Sequence, residues 1–104
     1  MDDPSDRWIE VLSSFWSLPD GTLYRLRQGE LDIAGIYELI RFLRTISIPD
    51  EATISKRLAS LLWMLPTFME WQTDRVIERG GSADALRTSV QLAYNEVERI
   101  LGIP

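Results

Sequence analysis

Glu70, Asp74 and Glu78 recur every four residues, the spacing that stacks three carboxylates along one helical face. Like charges so placed repel by a few tenths of a kcal/mol per pair, up to about 0.5 kcal/mol. Such a row can be a solvated surface, an acidic stripe for a basic partner, or a set of metal ligands. Charge runs are most often solvated. A helical metal site would draw carboxylates from other helices, with His as the usual companion, and the chain contains no His. Arg75, three positions before Glu78, also neutralises part of the row. A second concentration of acid opens the chain, where Asp2, Asp3, Asp6, Glu10 and Asp20 face a single cation, Arg7. Complementing a helix dipole accounts for Asp3 and Asp6, but less well for Asp2 and Glu10. The expected partner-binding residues are therefore Glu70, Asp74 and Glu78 first, then Asp2, Asp3, Asp6 and Glu10.

What is missing narrows the chemistry further. Without Cys there are no disulfides, thiol nucleophiles or Cys-ligated metals. Without His, Ser-His-Asp triads and ordinary imidazole acid–base catalysis are excluded. Gly29, Gly35, Gly80 and Gly81 form neither a phosphate loop nor a dinucleotide fingerprint. Ten of the eleven cations are Arg, but Glu30 and Asp32 flank Arg25 and Arg27, and Glu38 precedes Arg41. Internal ion pairs explain these arginines without a ligand. The expectation is a binding protein rather than an enzyme, with no cofactor and no metal.

A net charge of −5 over 104 residues argues against direct binding of nucleic acid, which needs a basic face. The length suits one domain over 1–104. The longest purely apolar run, Leu61 to Leu65, is far shorter than the ~20 residues that span a bilayer. The acidic N-terminus is unlike a secretory signal, so a cytoplasmic protein with no membrane contact is expected.

The elements that must position these residues are helical. Trp8, Val11, Leu12, Phe15 and Trp16 make one apolar face of a first helix ending near Ser17, with Asp3 and Pro4 as cap and first turn. Residues 22–31 suit either a short helical turn or an extended segment. A helix from about Asp32 carries Ile33, Ile36, Tyr37, Ile40, Leu43 and Ile46, and stops before Pro49. The next begins around residues 49–51 with Ile54, Leu58, Leu61, Leu62 and Leu65 inward, and Pro66 should kink or interrupt it. Gly80 and Gly81 end the following segment, and a last helix spans about 82–101. No internal repeat or linker is visible. The fold class is all-α: a compact single-domain bundle of four to five helices, with a proline break near Pro66.

Four Trp is a rich supply of large side chains. Trp63, Met64, Phe68, Met69 and Trp71 crowd more faces than one helix buries against one neighbour. Either this segment is the central helix or part of it is a contact surface. Aromatics at helical spacing are usually core, so Trp71 or Trp63 is expected to be a structural anchor.

Two stretches carry a resemblance. Phe15-Trp16-Ser17-Leu18-Pro19-Asp20-Gly21-Thr22 running into Arg25-Leu26-Arg27-Gln28-Gly29, and Trp63-Met64-Leu65-Pro66-Thr67-Phe68-Met69-Glu70-Trp71-Gln72, resemble small bacterial immunity proteins encoded beside secreted or contact-delivered toxins. The resemblance covers about a quarter of the chain and brings no catalytic residues. It implies a cytoplasmic inhibitor that binds one cognate toxin domain, often a nuclease, and blocks its site. A nuclease is locally basic to hold phosphate, and an acidic helical domain complements it. The alternative is a structural or regulatory adaptor, with a homodimer through the Trp63 to Trp71 region as one form.

Overall fold

Pro4 occupies the first turn of α1 (Pro4–Ser17) in a computed structural model that describes residues 4–17 and 19–102. Its fixed φ and missing amide suit that position. Asp2 and Asp3, with the capping role expected of Asp3, lie outside the described residues. Leu12 is fully buried, and Trp8, Ile9, Phe15 and Trp16 pack partly against the core around it.

After the turn at Pro19 and Asp20 the chain forms α2 (Thr22–Arg27). The helical alternative wins in this segment because Leu23 and Leu26, three residues apart, both reach the core. Gly29 then turns the chain with φ of +86°. A Cβ there would lie 2.7 Å from the Arg75 carbonyl oxygen, so only glycine permits both this backbone and this approach. Arg25 fixes the exit: its Nε and Nη2 donate to Glu30, at 3.1 and 2.8 Å, and its Nη1 donates to Asp32 at 2.9 Å.

Asp32 is at the same time the N-cap of α3 (Ile33–Leu43), accepting from the Gly35 amide at 3.1 Å. The inward stripe of α3 is Ile36, Leu39, Ile40 and Leu43. Ile33 and Tyr37, expected inside, are exposed because Leu39 takes the core position. Ile46 lies beyond the helix yet is fully buried.

The next helix starts later than residues 49–51. Asp50 and Glu51 sit in a turn closed by the Ala52 amide on the Pro49 carbonyl at 2.9 Å. The helix α4 (Lys56–Trp71) begins only where the Ser55 hydroxyl accepts from the Leu58 amide. Ile54, expected on its apolar face, therefore belongs to the connection. Pro66 lies buried inside α4, and the break expected near it falls six residues on, at Gln72. A proline in a helix interior costs about 3 kcal/mol. Seven buried α4 residues, Pro66 among them, offset that cost at about 25 cal/mol per Å² of apolar area removed from water. At Gln72 the main-chain amide turns to Met69 at 3.2 Å, and the side-chain amide takes over the Phe68 carbonyl at 3.1 Å. That substitution leaves the interruption satisfied.

Beyond it come α5 (Thr73–Glu78) and α6 (Ala83–Leu101), the latter capped by the Ser82 hydroxyl on the Ala85 amide. α6 packs on α3, α4 and α5, whereas α4 also packs on α1, and α1 on α2. The 20 Å short dimension corresponds to two helical layers. The protein is an all-α bundle with no strand among the described residues. With α4 and α5 taken as one helix interrupted at their shared cap Gln72, the bundle has five helices.

Arg99 ties the layers together. Its Nη2 and Nη1 donate to the carbonyls of Leu43 and Ile46, at 2.9 and 3.0 Å, while Glu96 pairs with both Arg99 and Arg44. Hydrogen bonds from a charged donor contribute about 1.5–3 kcal/mol each when buried, and these are half-buried. Arg99→Ala should lower unfolding free energy by about 1–3 kcal/mol in urea titration. Arg99→Lys should recover only part of the loss, since one ammonium does not reproduce a fork.

The Arg25 staple yields a pH prediction. The hydrogen bond from Arg25 holds the Glu30 carboxyl below its ordinary 4.5, against a smaller opposing effect of desolvation. Arg25 is correspondingly raised by Glu30. A depressed carboxylate stabilises the fold above its unfolded value, and that contribution is lost as pH falls through the folded value. Carbon-detected NMR titration should place the Glu30 midpoint below the usual glutamate range, and Arg25→Gln should restore it. An unshifted midpoint in the parent chain would contradict the staple.

Candidate functional site

The inward stripe of α4, centred on Leu58, Leu62, Leu65 and Met69, already fills one side of the helix. At about 100° per residue, Trp63 and Trp71 fall about 140° to either side of Leu62 and Leu65. They are 65% and 66% exposed. The expectation that one or the other anchors the core is thus overturned. Among the large side chains of the segment, Phe68 and Met69 join the aliphatic core, leaving these two indoles on the outer face with Ser60 and Glu70.

Beside that face lies an open groove of about 470 Å³ lined by Trp16, Arg27, Arg57, Ser60, Leu61, Met64, Phe68 and Trp71. Trp16 comes from α1, Arg27 from α2, and the others from α4. Trp16 and Phe68 meet with ring centroids 4.5 Å apart and planes tilted by 55°, within the favoured range for aromatic pairs. The Arg27 guanidinium stands 5.5 Å from the Phe68 centroid, where the ring quadrupole attracts a cation. Of the two arginines expected to hold the loop, Arg25 does so and Arg27 faces the groove. Among the described residues neither Arg27 nor Arg57 has an ion-pair partner. Trp16 Nε1 is buried without an acceptor, at a typical cost of about 1–3 kcal/mol.

The expected carboxylates are placed differently. Glu70 lies on α4, whereas Asp74 and Glu78 lie on α5, beyond the interruption at Gln72. All three are exposed, but they do not form a single row on one continuous helix. Glu70, seven residues after Trp63, lies two turns on along the same side of α4 and borders a separate depression of about 250 Å³ with Thr73, Leu86 and Arg87. Asp6 and Glu10 are exposed one turn apart on α1, a helix that packs on α2 and α4, whereas α5 packs on α4 and α6. Among the described residues no group of three or more metal-ligating side chains converges. No helix of the described chain is long and apolar enough to cross a membrane.

Arg57 is not singled out by the sequence, Met64 stands out only as one of a crowded group, and Arg27 is expected in the loop. The available signal was phase: once Leu58, Leu62, Leu65 and Met69 define the inward stripe, Arg57, Ser60, Met64 and Trp71 fall on another side. The arrangement suits desolvated contact with another macromolecule, since exposed Trp and Arg are the side chains enriched at binding hot spots. Compared with known proteins, the chain significantly matches no family model, no curated protein and no solved structure.

Proposed function

We propose that this chain is a stoichiometric protein-binding domain of the immunity-protein type, which occupies a cognate toxin domain and blocks it through the outer face of α4. The observation that carries the reading is the exposure of Trp63 and Trp71 on one outer face, at 65% and 66%. Large aromatic side chains left in water are costly unless a partner covers them. The two stretches that resemble immunity proteins also converge here. Trp16 and Arg27 come from the first, and Met64, Phe68 and Trp71 from the second.

The net charge of −5 draws in a basic partner over distance. Asp6, Glu10, Glu70, Asp74 and Glu78 contribute exposed carboxylates to that field, and Asp2 and Asp3 add to it from outside the described residues. We assign the chain no catalytic role and no cofactor, and the cytoplasm as its place of action. Co-expression with the polypeptide encoded immediately beside it tests the reading. Growth rescue together with a purified one-to-one complex is expected. A toxic neighbour that is neither bound nor neutralised would contradict it.

The same exposed face favours one other reading, an adaptor that pairs with a second copy of itself through Trp63 and Trp71. Sedimentation of the isolated chain separates the two: a concentration-dependent dimer supports the adaptor, and a monomer at all concentrations supports the inhibitor.

A further inference from the structure

The groove beside the exposed tryptophans has a charge opposite to that of the chain as a whole. Acids outnumber bases sixteen to eleven in the sequence, yet two guanidiniums and no carboxylate line this groove. Five of the other eight arginines are engaged, Arg25, Arg44, Arg87 and Arg99 in ion pairs and Arg75 as donor to the Arg27 carbonyl at 2.7 Å. Arg7, Arg41 and Arg79 are not in such pairs among the described residues, but they do not line this groove. Arg27 and Arg57 are in no ion pair among the described residues, and they share the groove with Trp16, Met64, Phe68 and Trp71.

We propose that the groove receives an acidic, apolar segment of the protein partner. One large apolar side chain of that segment sits against Trp16, Met64, Phe68 and Trp71, and carboxylates on its flanks pair with Arg27 and Arg57. The proposal rests on the protein-binding reading above and specifies the chemistry of what is bound. Guanidinium forks match carboxylates with two parallel hydrogen bonds, and such pairs strengthen where apolar contact excludes water. Arg27 is already held over Phe68, so less side-chain freedom is lost when it pairs. Arg57 stands in the first turn of α4, where the helix dipole also favours an incoming anion. A single nucleic-acid strand shares a liking for arginine and aromatic rings, but the net charge of −5 opposes it. A partner that is basic overall is drawn in by the whole molecule, and its acidic segment is selected at the groove.

Two fluorescein-labelled peptides of twelve residues test this, with identical Leu and Phe positions and with Glu in one where the other has Lys. Fluorescence anisotropy on the full chain should show the Glu peptide binding at least ten times more tightly than the Lys peptide. Arg27→Glu with Arg57→Glu should reverse that order. Arg57→Glu alone should reduce the preference without loss of helicity, since a carboxylate in a first helical turn is favoured. This keeps the test valid if the double change disturbs the Phe68 contact. Equal affinities, no binding of either peptide, a preference indifferent to the charge reversal, or equal competition by a thymidine oligonucleotide would each overturn the proposal. The two readings also fail separately. If the doubly reversed chain still binds the natural partner as tightly as before, the acidic-segment proposal falls and the protein-binding reading stands. If the parent chain binds no partner at all while the Glu peptide still binds, the protein-binding reading falls and takes the partner's segment with it, leaving only the groove's preference for acidic peptides.

Discussion

Trp71→Ala should leave the unfolding free energy within about 1 kcal/mol of the parent, while Met69→Ala, two residues earlier on the same helix, should cost about 2–5 kcal/mol. Met69 is fully buried and Trp71 is 66% exposed. Removing a buried side chain loses its transfer energy and leaves a cavity, whereas truncating an exposed one does neither to the same extent. For a domain of this size each kcal/mol moves the melting temperature by about 4–8 °C. Calorimetry should therefore place the Met69 variant at least about 4 °C below the Trp71 variant. Similar midpoints would mean that the outer face of α4 is packed in solution and the core boundary is misplaced.

The second large effect is on binding. Trp63→Ala and Trp71→Ala should each weaken the complex with the partner by about 2 kcal/mol or more, the usual range for an aromatic at the centre of an interface. That corresponds to about a 30-fold rise in Kd. The changed carboxylates give a useful contrast. Glu70→Gln with Asp74→Asn and Glu78→Gln should mainly slow association at low salt, because exposed rim charges act on encounter rate. Asp74 and Glu78 still sit four apart on α5. Self-repulsion relieved on folding should thus be limited to a few tenths of a kcal/mol.

The end of α1, the start of α3 and both ends of α6 are legible in the sequence because local groups determine them. Asp32 and Ser82 cap with their own side chains, and Gly102 takes a positive φ beyond Leu101. The start of α4 is not, since the acidic first turn offered by Asp50 and Glu51 competes with the hydroxyl cap of Ser55, and tertiary packing selects the latter. The carboxylate row fails for a related reason. Its spacing assumes an unbroken helix, and the break at Gln72 depends on a buried side-chain amide bonding Phe68, which no local pattern announces. Apolar residues occupy every side of the helix from Leu61 to Leu65, so periodicity carries no phase there. Which aromatic rings face water is then decided by α1 and α6, the helices packed against α4. The groove joins Trp16, Arg27 and Phe68 across three helices, and contacts of that separation are invisible to spacing.

Hydroxyl-radical footprinting of the chain, free and in its complex, tests the central claim most directly, because it reads which side chains the partner covers. Trp63, Met64 and Trp71 should label strongly in the free protein and be protected in the complex, while Tyr37 and Tyr94 on α3 and α6 label equally in both. Unchanged labelling of Trp63 and Trp71 in a stable complex, with protection at Tyr37 or Tyr94 instead, would contradict the assignment of the α4 face as the binding surface.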